Sequence, residues 1–205
     1  MNPSIYVRPD KPRTMEVTRR RDAPKISFKD TPKLVEVDTF TECHVTPSDV
    51  AERMVEYLEA TTDMVTLEPS VGTGNLVKAL LDDGHNPREL LMIERHHELH
   101  RLARERFKFE VPSYQQCFLE YVEEWKDQGI LGAFPRIIMN PPFKKVKQHM
   151  NTALTLLGAG AYDEAILVAL VPITYQHDEM EEMEILPNDT FAHAKVNTKI
   201  IKFIK

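Results

Sequence analysis

From Thr46 onward the apolar residues fall into two alternating kinds of run. Val50, Ala51, Met54, Val55 and Leu58 recur at the spacing of one helical face. Ahead of them, Thr46-Pro47-Ser48-Asp49 supplies a capping residue, a proline at the first helical position and an acid three after the cap. The apolar run from Met64 to Leu67 ends at Glu68 and reads as a strand. Gly74 to Leu81 reads as a helix with Leu76, Val77, Leu80 and Leu81 inward. Leu90 to Ile93 is a strand ending at Glu94, and Leu99, Leu102, Ala103 and Phe107 mark the next helix. A weak strand near Tyr114 leads to a short helix carrying Phe118, Val122 and Trp125. Arg136 to Met139 is a strand stopped by prolines, and Met150, Ala153, Leu154 and Leu157 define the helix behind it. Ala165 to Val171 is almost continuously apolar, as in a strand covered on both faces. Strand candidates around Met183–Ile185 and Lys199–Ile204 complete the pattern. The alternation predicts an α/β fold, a mostly parallel sheet with helices on both faces.

Residues 1–38 break this order. They are rich in proline, charge and threonine without a sustained period, and predict an irregular arm preceding a domain over 39–205. Nine Lys/Arg against four acids make residues 1–33 basic, about +5, although the whole chain of 205 residues carries -6. A basic arm on an acidic body fits a nucleic-acid contact, or a solvated terminus. Two cysteines, Cys43 and Cys117, make no disulfide framework, and no Cys/His spacing suggests a metal site. His96, His97 and His100 lack the acid placement of a zinc motif and read as surface helix residues. Without a membrane-length apolar stretch or a signal-peptide core, the cytoplasm is the expected location.

Three strand ends carry the chemistry. Between the first strand and its helix, Glu68-Pro69-Ser70-Val71-Gly72-Thr73-Gly74 has two glycines that let the backbone turn tightly and approach a ligand. A dinucleotide fingerprint would need a small residue where Val77 stands. Glu94, about twenty residues beyond, is placed to accept from the two hydroxyls of a ribose. Asn140-Pro141-Pro142-Phe143 follows the Arg136–Met139 strand at the sheet edge where α/β folds bind ligands. Its amide oxygen and the Pro141 carbonyl can both accept from one amino group, with Phe143 stacking on the ring that bears it. Lys144, Lys145 and Lys147 come next, suited to the phosphates flanking an extruded nucleotide or to a solvated helix start.

Together these residues resemble the class I S-adenosylmethionine-dependent methyltransferases that act on the exocyclic amine of adenine. The resemblance runs from about Phe40 to the end of the chain. It implies a Rossmann-like seven-stranded sheet whose final strand is antiparallel. It assigns Phe40, Thr46, Glu68, Pro69, Ser70, Gly72, Gly74, Glu94, Cys117, Phe118 and Asn140 to the cofactor, S-adenosylmethionine. Catalysis falls to Asn140, Pro141, Pro142 and Phe143. Two features depart from the family. An acid expected after the third strand, where it would bind the cofactor's adenine amine, is replaced by Gln116-Cys117-Phe118. There is also no room for a separate target-recognition domain, so sequence reading on the substrate would be slight, or come from the basic arm or a protein partner. DNA adenine is the expected substrate. RNA bases, a protein glutamine and a non-catalytic binding module that kept the fold are the alternatives.

Overall fold

The computed structural model describes residues 45–191 and 197–205, together with two backbone segments, Arg13–Glu16 (β1) and Leu34–Val37 (β2). These two pair antiparallel, Arg13 opposite Val37, so the stretch expected to be irregular contains a short ladder. Phe40 lies outside the described residues.

The main sheet has seven strands. In chain order they are Thr66–Glu68 (β3), Leu90–Ile93 (β4), Ser113–Tyr114 (β5), Arg136–Met139 (β6), Ile166–Pro172 (β7), Glu181–Ile185 (β8) and Thr198–Ile204 (β9). Their spatial order is β5-β4-β3-β6-β7-β9-β8. The first five are parallel, whereas β9 runs antiparallel between β7 and β8. Five helices join them: Ser48–Leu58 (α1), Asn75–Asp82 (α2), His97–Arg106 (α3), Phe118–Trp125 (α4) and Val146–Leu156 (α5). No described helix is long and apolar enough to cross a membrane.

Side chains of a strand alternate between its faces, and here each face meets a different core. Ile166, Val168 and Leu170 of β7 join the apolar residues of α1 and α2, with Ala103 and Phe107 beside them. Leu167, Ala169 and Val171 join the apolar residues of α4 and α5. Helices therefore cover both faces, as the alternation predicts. Buried Lys199 and Lys202 would be costly inside this sheet without partners. Their ammonium groups end on Glu182 at 2.9 Å and Glu59 at 2.5 Å.

Gly74 shows how tightly the first turn is built. It sits at φ +79°, and a Cβ there would lie 2.8 Å from the Phe107 ring. Phe107 is fully buried, so its ring can yield only by displacing its own neighbours. Gly74→Ala therefore combines a left-handed backbone penalty of about 1–2 kcal/mol with overpacking of about 1–3 kcal/mol. Urea denaturation should show a loss of about 2–5 kcal/mol; an unchanged midpoint would mean that the turn can rearrange.

Candidate active site

Because β4, β3 and β6 are adjacent and parallel, their carboxyl ends bring Glu94, Glu68 and Asn140 to one edge of the sheet. The edge opens into a cavity of about 400 Å³. Glu68, Pro69, Ser70 and Gly72 line one wall, Glu94 and Arg95 another. Cys117, Phe118 and Leu119 enter from the start of α4, and Asn140, Pro141 and Pro142 from the end of β6.

The glycine turn is locked onto the acid of the neighbouring strand. Glu94 Oε2 accepts from the Gly72 N–H at 2.8 Å, and Oε1 accepts from the His96 N–H at 2.7 Å. Each carboxylate oxygen keeps a further lone pair for a ligand hydroxyl. Gly72 needs its left-handed backbone, φ 55°, to present that N–H.

A second set of bonds ties the loop after β6 to the turn. Asn140 Nδ2 donates to Thr46 Oγ1 at 3.0 Å, which directs the amide nitrogen toward the start of α1. Asn75 Nδ2 donates to the Thr46 carbonyl at 2.8 Å. Arg106, buried beneath, donates to the Thr73 carbonyl at 2.5 Å and to Asn75 Oδ1 at 3.1 Å. Thr46 thus does not cap α1, contrary to the local pattern: the cap position is Pro47, with no side-chain cap bond. A tertiary contact has claimed the hydroxyl.

The remaining expected residues divide. Lys144 and Lys145 line the cavity, exposed at its rim. Lys147 is exposed but does not line it. Phe143 opens a 3-10 turn and does not line the cavity either, because the chain turns directly after Pro142. Gly74 caps α2 from below and shapes the turn without lining the cavity. His96 is not a surface helix residue: its Nδ1 accepts from the Leu99 N–H at 3.5 Å and caps α3. His100 Nε2 lies 3.1 Å from Ser113 Oγ. Val45, Asn75, Arg95, Leu99 and His149 also line the cavity without having been singled out from the sequence. An aliphatic stripe or a lone histidine on a helix face looks like ordinary core.

Glu68 is 2% exposed, and its Oε2 has no hydrogen-bond partner. Burial first, and the Glu94 carboxylate second, push its carboxyl well above the ordinary value of 4.5. Burial also raises Glu94, against the pull of the His96 and Gly72 N–H groups. The folded chain therefore holds protons that the unfolded chain releases. The resulting stability is full below the ordinary value of 4.5 and is lost as pH rises through the raised values. Glu68→Gln removes the larger contribution, so its urea midpoint should fall less between pH 5 and 8 than the parent's does. Equal slopes would place the effect elsewhere.

No protein-family model matches the chain, and no curated protein matches it. Solved structures do. The 23S rRNA methyltransferase ErmE superposes with a TM-score of 0.57 at 14% identity, over 75% of this chain and 66% of that one. The methyltransferase subunit of a type I restriction-modification system from Streptococcus thermophilus gives 0.58 at 15%, over 78% of this chain and 44% of that one. An RNA methyltransferase from Salinibacter ruber, in complex with S-adenosyl-L-homocysteine, gives 0.53 at 16%, over 78% and 92%. Identities of 14–16% carry the likeness as one of fold, and that fold is the Rossmann-like fold of the methyltransferases.

Proposed function

We propose that the protein transfers a methyl group from S-adenosylmethionine to the exocyclic amine of adenine in DNA. The observation that carries this reading is the bonded pair Asn140–Thr46, which orients an amide beside Pro141 in the cavity that also holds Glu94 and Phe118. The donor set suits the cofactor. Glu94 has lone pairs for a ribose diol, Phe118 offers a ring for a base, and the buried Glu68 carboxyl has an unpartnered oxygen for a polar group of the ligand. Bound there, the cofactor supplies an electrophilic methyl on a sulfonium.

An aromatic amine is a poor nucleophile because its lone pair is delocalised into the ring. Accepting hydrogen bonds from its two N–H groups, at Asn140 Oδ1 and the Pro141 carbonyl, draws the nitrogen toward a tetrahedral shape and localises that pair. Positioning and fixed dipoles then account for the rate. Pro141 and Pro142 keep the two acceptors rigid. In a duplex the base must leave the stack, at a cost of a few kcal/mol. Lys144 and Lys145 at the rim are placed to hold the phosphates beside it. A protein partner, or residues 1–38, would supply sequence recognition.

RNA is the second reading, favoured by the two structural neighbours that are RNA methyltransferases by name. Tritium transfer from labelled cofactor to DNA, RNA and protein in parallel, followed by digestion, separates the readings. Label in N6-methyladenine from DNA is the expected product. Label in RNA alone would move the substrate, and label in none would favour a binding module.

A further inference from the structure

An imidazole lines the same cavity and has no role so far. His149 lies one turn into α5 and is 6% exposed, and its Nδ1 is buried without a hydrogen-bond partner. Its neighbours on that helix face are Met150, Ala153 and Leu156, all fully buried, and a leucine would continue this face with no polar atom to satisfy. Leaving a buried ring nitrogen unpaired is costly, and native structures pair such a group with protein, water or a ligand. The ring sits 5.7 Å from the Phe118 ring, centroid to centroid, with the planes tilted by 42°. Phe118 is also the residue placed to stack on the cofactor's base.

The acid that the resemblance leads one to expect next to Phe118 is missing. Cys117 stands there in place of an acid, and a thiol is a weak acceptor. We infer that His149 is a specificity residue for the cofactor, accepting a hydrogen bond from the amine of its adenine beside the Phe118 ring. This rests on the cofactor reading proposed above. A neutral imidazole always carries one bare nitrogen able to accept such a bond. Burial first, then the positive charges of Lys145 and Arg95, lower the His149 pKa to about 4, so the ring stays neutral at pH 7. An acid in a cavity that already holds Glu68 and Glu94 would add a third carboxyl. An imidazole accepts the same amine without that charge.

Calorimetry on the full chain tests this with two probes: S-adenosylhomocysteine, and its purine analogue in which hydrogen replaces the adenine amine. The parent is expected to bind the first about tenfold more tightly, the worth of one hydrogen bond. His149→Phe keeps an aromatic ring but no acceptor. It should bind the purine analogue within a few-fold of the parent while losing the preference. His149→Gln or His149→Asn should restore part of it, which a merely structural role would not do. His149→Leu replaces the phenylalanine variant if that chain does not fold. An equal preference in the parent and the acceptor-free variant would overturn the inference, as would a parent with no preference. Failure of the parent to bind either probe would instead overturn the cofactor reading itself.

Discussion

Asn140→Ala is expected to lower the methyl-transfer rate by about 100- to 1,000-fold, the range for losing one preorganised polar group aimed at a reacting centre. Affinity for S-adenosylhomocysteine should stay within a few-fold, because Glu94, just past β4, and Phe118, at the start of α4, are held by other elements. The two measurements separate a lost acceptor from a collapsed site. Asn140→Asp sharpens the contrast. It keeps an oxygen toward the amine, and the Thr46 hydroxyl, now 3.0 Å from the amide nitrogen, can rotate to donate to the carboxylate instead. The aspartate variant should therefore retain more activity than the alanine variant. Full activity in Asn140→Ala would remove the amide from the mechanism.

Glu94→Ala should show the largest loss of cofactor affinity, on the order of 100-fold for two charge-assisted bonds to a ribose. The substitution also strips partners from two backbone N–H groups, those of Gly72 and His96. Each orphaned donor costs about 1–3 kcal/mol, so chemical denaturation should register a stability loss as well. Glutamine is not conservative here. Its amide has one accepting oxygen, so its NH2 must face one of the two N–H donors. Glu94→Gln should therefore fall between alanine and the parent in both calorimetry and denaturation. Parent-like affinity in Glu94→Ala would exclude the ribose role.

Much of this architecture is legible in the chain, for identifiable reasons. Leu90–Ile93 and Arg136–Met139 have the limits expected because each apolar run ends abruptly at a polar or proline residue. The convergence of Glu68, Glu94 and Asn140 follows from parallel strands that end at one edge. Contacts made across the fold leave no such trace. Thr46 looks like a cap because capping is a local pattern, whereas its bond to Asn140 spans 94 positions. His149 occupies an apolar helix face, and no spacing distinguishes it from core. The turn after Pro142 that carries Phe143 away from the cavity depends on backbone angles that the four-residue motif leaves open.

The antiparallel strand β9 has a consequence for how the molecule is made. It is the last strand in the described chain, yet it lies inside the sheet, between β7 and β8. Until residues 198–204 emerge, β7 is an edge whose side chains are apolar toward both faces, the kind of edge that invites pairing with another chain. At ribosomal speeds of about 5–20 residues per second, some 26 positions separate β7 from β9 by roughly 1–5 s. During that interval β7 lacks the neighbour that covers its edge in the finished sheet. The acidic β8, Glu181-Glu182-Met183-Glu184-Ile185, is made within it and becomes the charged outer edge once β9 is in place.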